Sequence, residues 1–136
     1  MHISVSTVSR RAFGALAAAA IIFSAAGLLA MPAAAGEVKI VAAKATSNGG
    51  EYSFSVTLRH ADSGWKHYAD QWRVLAPDGT VLGTRVLFHP HVDEQPFTRG
   101  MSGVKVPTGI KRVFIEARDS VSGVSPKTFA VDLPDR

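Results

Sequence analysis

The sequence predicts an all-β protein, an immunoglobulin- or fibronectin-like β-sandwich of about seven strands. Three observations predict it. After residue 35, apolar residues recur almost everywhere with period two rather than 3.6. Turn signals built on Gly, Pro, Asn and Asp fall at intervals of about 8–12 residues. No segment in this part carries the apolar stripe of an amphipathic helix.

The elements follow in order. Val38, Ile40 and Ala42 mark a weak first strand, closed by Ser47-Asn48-Gly49-Gly50. Tyr52, Phe54, Val56 and Leu58 then alternate with Ser53, Ser55, Thr57 and Arg59, the pattern of a half-buried strand. Strands over 71–75 and 80–88 flank Pro77-Asp78-Gly79, a hairpin signal in which glycine accepts a positive φ. Trp72 falls where such sandwiches bury an aromatic ring. A short strand over 104–106 precedes the turn Pro107-Thr108-Gly109. Residues 112–118 place Val113, Ile115 and Ala117 on one face, 119–123 turn, and 128–133 close the chain. A small barrel is the alternative closure for the same strands.

The first 35 residues differ from everything that follows. Arg10 and Arg11 are their only basic residues, acidic residues are absent, and no charge falls between Ala12 and Met31. Pro32-Ala33-Ala34-Ala35-Gly36 ends the run with an A-x-A site after Ala35. These are the three parts of a secretory signal, so residues 1–35 are expected to be an export peptide and 36–136 a β-sandwich domain, periplasmic or secreted. An uncleaved anchor is the alternative, since the apolar run approaches the roughly 20 residues needed to span a bilayer. Ser9-Arg10-Arg11-Ala12-Phe13 resembles the twin-arginine export signal, although Gly14 and Ala15 depart from its pattern. Cargo of that route folds before export, which would let it take up a metal in the cytoplasm.

Composition narrows the function classes. The whole chain carries a net charge of +4, of which two units belong to Arg10 and Arg11. No basic run exceeds Lys111-Arg112, so no nucleic-acid partner is expected. After cleavage no membrane partner is expected either. The remaining roughly 100 residues suffice for one core. There is no cysteine, so neither a disulfide nor a lipid on a cysteine sulfur is available.

The chemistry that remains is histidine chemistry. His60, His67, His89 and His91 all follow residue 35. If the strand over 52–59 runs upward, it delivers His60 to the upper end, where the connection carrying Trp65, His67 and Tyr68 begins. The next strand descends to the Asp78-Gly79 turn, and its partner climbs back to deliver His89 and His91 to the same end. The 119–122 turn is expected there too. In His89-Pro90-His91 the proline holds its neighbour extended, so both imidazoles face one way. Asp93, Glu94 and Gln95 add oxygen donors nearby. Imidazole and carboxylate without thiolate suit Cu(II) or Zn, so the expected metal ligands are His89, His91, His60, His67 and Asp93. These residues also admit a structural role, fixing loop backbone or packing around Trp65 and Tyr68. No catalytic residues are expected. Ser63, His67 and Asp70 are a nucleophile, base and orienter only by type, and Asp93 and Glu94 point apart as extended neighbours. A second reading is a binding module for a protein partner or small ligand in the cell envelope, using Trp65, Tyr68, Phe97 and Arg99, the residue types that dominate recognition surfaces.

The segments Asp62-Ser63-Gly64-Trp65-Lys66-His67-Tyr68-Ala69-Asp70 and His89-Pro90-His91-Val92-Asp93-Glu94-Gln95-Pro96-Phe97-Thr98-Arg99 resemble motifs of a group of small secreted bacterial proteins without an assigned function. The resemblance runs from about Tyr52 to Leu133. It implies a common fold and export and brings no activity with it.

Overall fold

The chain divides into two units, Met1–Ala30 and Met31–Arg136. The computed structural model describes residues 36–136, and the export segment expected over 1–35 lies outside the described residues. Among the described residues eight strands form: β1 (Lys39–Asn48), β2 (Glu51–Arg59), β3 (Ala69–Leu75), β4 (Val81–Val86), β5 (Phe97–Val104), β6 (Arg112–Asp119), β7 (Gly123–Val124) and β8 (Phe129–Asp132). One sheet has the order β1-β2-β5. The other has the order β4-β3-β6, with β7 and β8 both pairing the free edge of β6. Every pairing is antiparallel. The protein is thus an all-β sandwich, and no helix among the described residues is long and apolar enough to cross a membrane.

Alternation builds the core. Tyr52, Phe54, Val56 and Leu58 of β2 are buried and face Trp72 and Val74 of β3 and Val113, Ile115 and Ala117 of β6 across the sandwich. Trp72 is fully buried, as its position on the third strand predicts. The weak first strand is explained by a bulge between Ile40 and Ala42. The extra residue shifts the alternation, so Ala45 rather than Ala42 reaches the core. The β3–β4 hairpin turns at Gly79 with φ +87, a conformation any β-carbon would strain.

The fifth strand differs from expectation. It begins at Phe97, not Val104, and pairs with β2 from Leu58↔Phe97 to Tyr52↔Val104. Arg99 and the glycines at 100 and 103 interrupt the apolar alternation that would have revealed it. Two of the residues expected on a recognition loop, Phe97 and Arg99, therefore sit on a strand.

Candidate metal centre

The register places one set of connections at each end. Leu58 pairs with Phe97 and Ala69 with Asp119 at the end here called upper. Tyr52 pairs with Val104 and Leu75 with Phe114 at the lower end. The connections after β2, β4 and β6 therefore gather at the upper end. They bring His60, His67, His89 and His91 there together.

Two strands carry their inward alternation past the core and into this end. On β2 the buried series Tyr52, Phe54, Val56, Leu58 continues to His60. On β6 the series Val113, Ile115, Ala117 continues to Asp119, which is fully buried. Each strand thus ends by pointing a polar side chain where an apolar one would be expected. Asp119 was not among the expected ligands, and one further step of the β6 alternation is the signal that finds it.

Asp62 holds two of these connections together, the one after β2 and the one after β4. Its Oδ1 accepts from His60 Nδ1 at 2.5 Å and from Ala69 N at 2.9 Å. Its Oδ2 accepts from His91 N at 2.7 Å. Gln95 ties the same loops again, with Oε1 accepting from His60 N and Nε2 donating to His91 O. A carboxylate only accepts, so the His60 nitrogen facing Asp62, Nδ1, carries a proton, and Nε2 is the nitrogen that can offer a lone pair when the ring is neutral. That Nε2 is buried and has no hydrogen-bond partner among the described residues.

His60, His67 and Asp119 form one group whose donor atoms all lie within 4.8 Å of one another. The His60 and His67 rings meet edge to face, centroids 4.9 Å apart. His67 Nε2 lies 3.1 Å from Asp119 Oδ1. The same Oδ1 accepts from Val121 N at 2.8 Å and Ser122 N at 2.6 Å, so the turn after β6 wraps around the carboxylate. Oδ2 is left buried and unpartnered. Burial works against the charge on Asp119, but the hydrogen bonds from Ser122 and Val121 and the nearby His60 and His67 outweigh it and hold its pKa below the ordinary aspartate value.

His89 and His91 stand apart from this group. Their rings are neighbours, with centroids 4.6 Å apart, as the extended His-Pro-His segment requires. His91 is buried and stacks on Phe97 at 3.8 Å between centroids. Burial, then the charges of Arg99 and His89, push its pKa below the usual histidine value. His89 is exposed, with Nδ1 3.1 Å from Pro90 O. Asp93 is exposed on the same loop. The Ser63, His67, Asp70 combination is not assembled: His67 turns to Asp119, and Asp70 faces Arg118 Nε at 3.1 Å.

The aromatic set divides as well. Phe97 is 1% exposed and belongs to the core. Arg99 pairs with Glu94 at 3.0 Å and lies over the Phe97 ring. Trp65 is 68% exposed and packs only edge-on against Tyr68, 5.7 Å between centroids. An open depression of about 560 Å³ runs between Trp65 and the 89–94 loop.

Gly36 closes the upper end. It is buried, and a methyl group at its Cα would lie 2.2 Å from Ser122 Oγ and 3.3 Å from His67 Nε2. Nearby, Val38 N donates to Ser125 Oγ at 3.0 Å, which pins the chain just after Gly36 to the segment following β7.

The chain is similar to a protein of Halomicrobium mukohataei described as "Putative lipoprotein", 38% identical over 97 residues, which cover 71% of this chain and 47% of that relative. The chain thus spans about half the length of the curated relative it matches. No family model matches. No solved structure matches.

Proposed function

We propose that the domain is exported to the cell envelope and holds a divalent transition metal, copper or zinc, through His60, His67 and Asp119. The observation that carries the reading is a pair of orphans. His60 Nε2 and Asp119 Oδ2 are both buried and unpartnered on residues of one cluster. Buried polar atoms almost always find a partner, and an ion is one of the few things that satisfies a lone pair on each side. The surroundings support it. A histidine that binds metal through one nitrogen usually donates from the other to a carboxylate, and His60 does so to Asp62. The donor set of two imidazoles and a carboxylate suits Zn or Cu(II). An ion entering between His67 Nε2 and Asp119 would take the place of the proton they share, since metal binding to such ligands releases protons. Binding rather than catalysis is proposed.

The A-x-A site after Ala35 and the lipoprotein description of the Halomicrobium relative support an envelope location. The relative's description does not extend to a lipid on this chain through sulfur, because no cysteine is present.

Metal analysis of the protein recovered after export tests the reading. Near-stoichiometric copper or zinc, lost in His60→Ala and in Asp119→Ala but kept in His89→Ala, is the expected result. A protein that carries no metal and binds added Cu(II) and Zn(II) only weakly would refute it. The depression beside the exposed Trp65 favours a second reading, a ligand- or partner-binding face. Under that reading Trp65→Ala abolishes partner capture and the histidine substitutions leave it unchanged.

A further inference from the structure

We propose that processing of the chain completes the metal site, because cleavage after Ala35 turns the nitrogen of Gly36 into its fourth ligand. This inference rests on the metal reading above and adds to it the source of a donor. Its basis is the place of Gly36, buried at the upper end within a methyl's reach of His67 Nε2 and Ser122 Oγ. Ser122 belongs to the turn that wraps Asp119, donating its N–H to Asp119 Oδ1 at 2.6 Å. The residue at the sequence's A-x-A junction thus lies beside His67, one of the three candidate ligands, and beside Ser122 of the turn that wraps another.

The chemistry follows from what cleavage does. A peptidase adds water across the Ala35–Gly36 amide, leaving a carboxylate on Ala35 and a free amine on Gly36. An amide nitrogen has its lone pair delocalised into the carbonyl and donates only its hydrogen. A free amine has a localised lone pair and ligates as imidazole nitrogen does. His60, His67 and Asp119 provide three donors, and zinc sites are almost always four-coordinate when all ligands come from protein. The Gly36 amine would make the fourth. Glycine suits the position, because a methyl group would force Ser122 aside. The precursor would hold only three donors, so uptake would follow export. That order is the reverse of cytoplasmic loading of a twin-arginine cargo.

The test compares two proteins whose amino termini are verified by mass spectrometry. One is the exported form beginning at Gly36. The other retains one extra residue, Ala35, which moves the amine by about 3.8 Å and leaves an amide at Gly36. All the described strands and the core they form begin after residue 36, so the extra residue removes none of that packing. Affinity for Zn(II) and Cu(II) is measured for both by competition with a chelator. The extended form is expected to bind at least about tenfold more weakly, the scale at which even supporting groups of metal sites act. A smaller loss overturns the inference, as does an exported form that begins elsewhere than Gly36. If the Gly36 form binds neither metal, the metal reading itself has failed. Equal binding by both forms leaves that reading intact and removes only the role of the amine.

Discussion

At the lower end of the sandwich the chain reverses through Asn48-Gly49-Gly50, Pro77-Asp78-Gly79 and Pro107-Thr108-Gly109, and main-chain bonds such as Gly79 N to Ala76 O close the turns. At the upper end His60, Asp62, His91 and Asp119 are buried, and side chains hold the loops to one another. A turn closed by its own backbone needs no buried polar side chain. Loops that bury several have accepted a desolvation cost that only dense hydrogen bonding offsets. That bonding is left incomplete at His60 Nε2, at Asp119 Oδ2 and at both ring nitrogens of His91, and stability alone does not explain residues buried in this way. The contrast separates the end that shapes the fold from the end that carries the proposed site.

Substitution of Asp62 breaks the contrast most strongly. Asp62→Ala strands the His60 N–H and two main-chain N–H groups in a buried place, an expected cost of about 3–5 kcal/mol by the measure of broken buried polar networks. Chemical denaturation would show it. The exposed Asp78 of the lower hairpin, which accepts from Thr80 N, is the matched control, and its loss should move the midpoint far less.

Metal addition sharpens the contrast next. A ligand at about a hundred times its Kd stabilises by about 2.7 kcal/mol. Zn(II) should therefore raise the melting temperature of the processed protein by roughly 10 °C or more for a domain of this size. The Asp119→Asn protein should show no such rise, and a Gly79→Ala protein should show all of it. Gly79→Ala itself should cost about 1–2 kcal/mol from its left-handed backbone.

The smallest effect concerns pH. Burial and the neighbouring charges lower the pKa of His91, so the unfolded chain takes up this proton before the folded one. The contribution is complete above the ordinary histidine pKa of about 6.5 and is lost as pH falls through it towards the lower folded value. His91→Phe keeps the stack on Phe97 and removes the proton, so its melting temperature should fall less between pH 7 and about pH 5 than that of the native protein.

Much of this was legible before the structure. Alternation along β2 and β6 reads directly as inward and outward residues, and strand direction alone sends all four histidines to one end. The limits have physical causes. β5 was hidden because Arg99 and two glycines break the period, so Phe97 reads as loop. The pairing of His89 with His91 was right about their proximity, but proximity does not say which nitrogen has a partner. His91 lays its ring face on Phe97 and keeps both ring nitrogens buried without a hydrogen-bond partner among the described residues. Asp119 was visible in the period-two series of β6, but a carboxylate next to a turn reads first as a surface residue. Gly36 carried no signal beyond its place at the expected cleavage junction, since its closeness to Ser122 and His67 depends on the path of the chain between distant elements.

The most direct test is the location of the ion. Anomalous diffraction at the zinc edge from crystals of the processed protein grown with Zn(II) should place one peak among His60 Nε2, His67 and Asp119, with ligand distances of about 2.0–2.2 Å. A peak confined to His89 and His91 on the outer loop, or none at the buried end, would contradict the account.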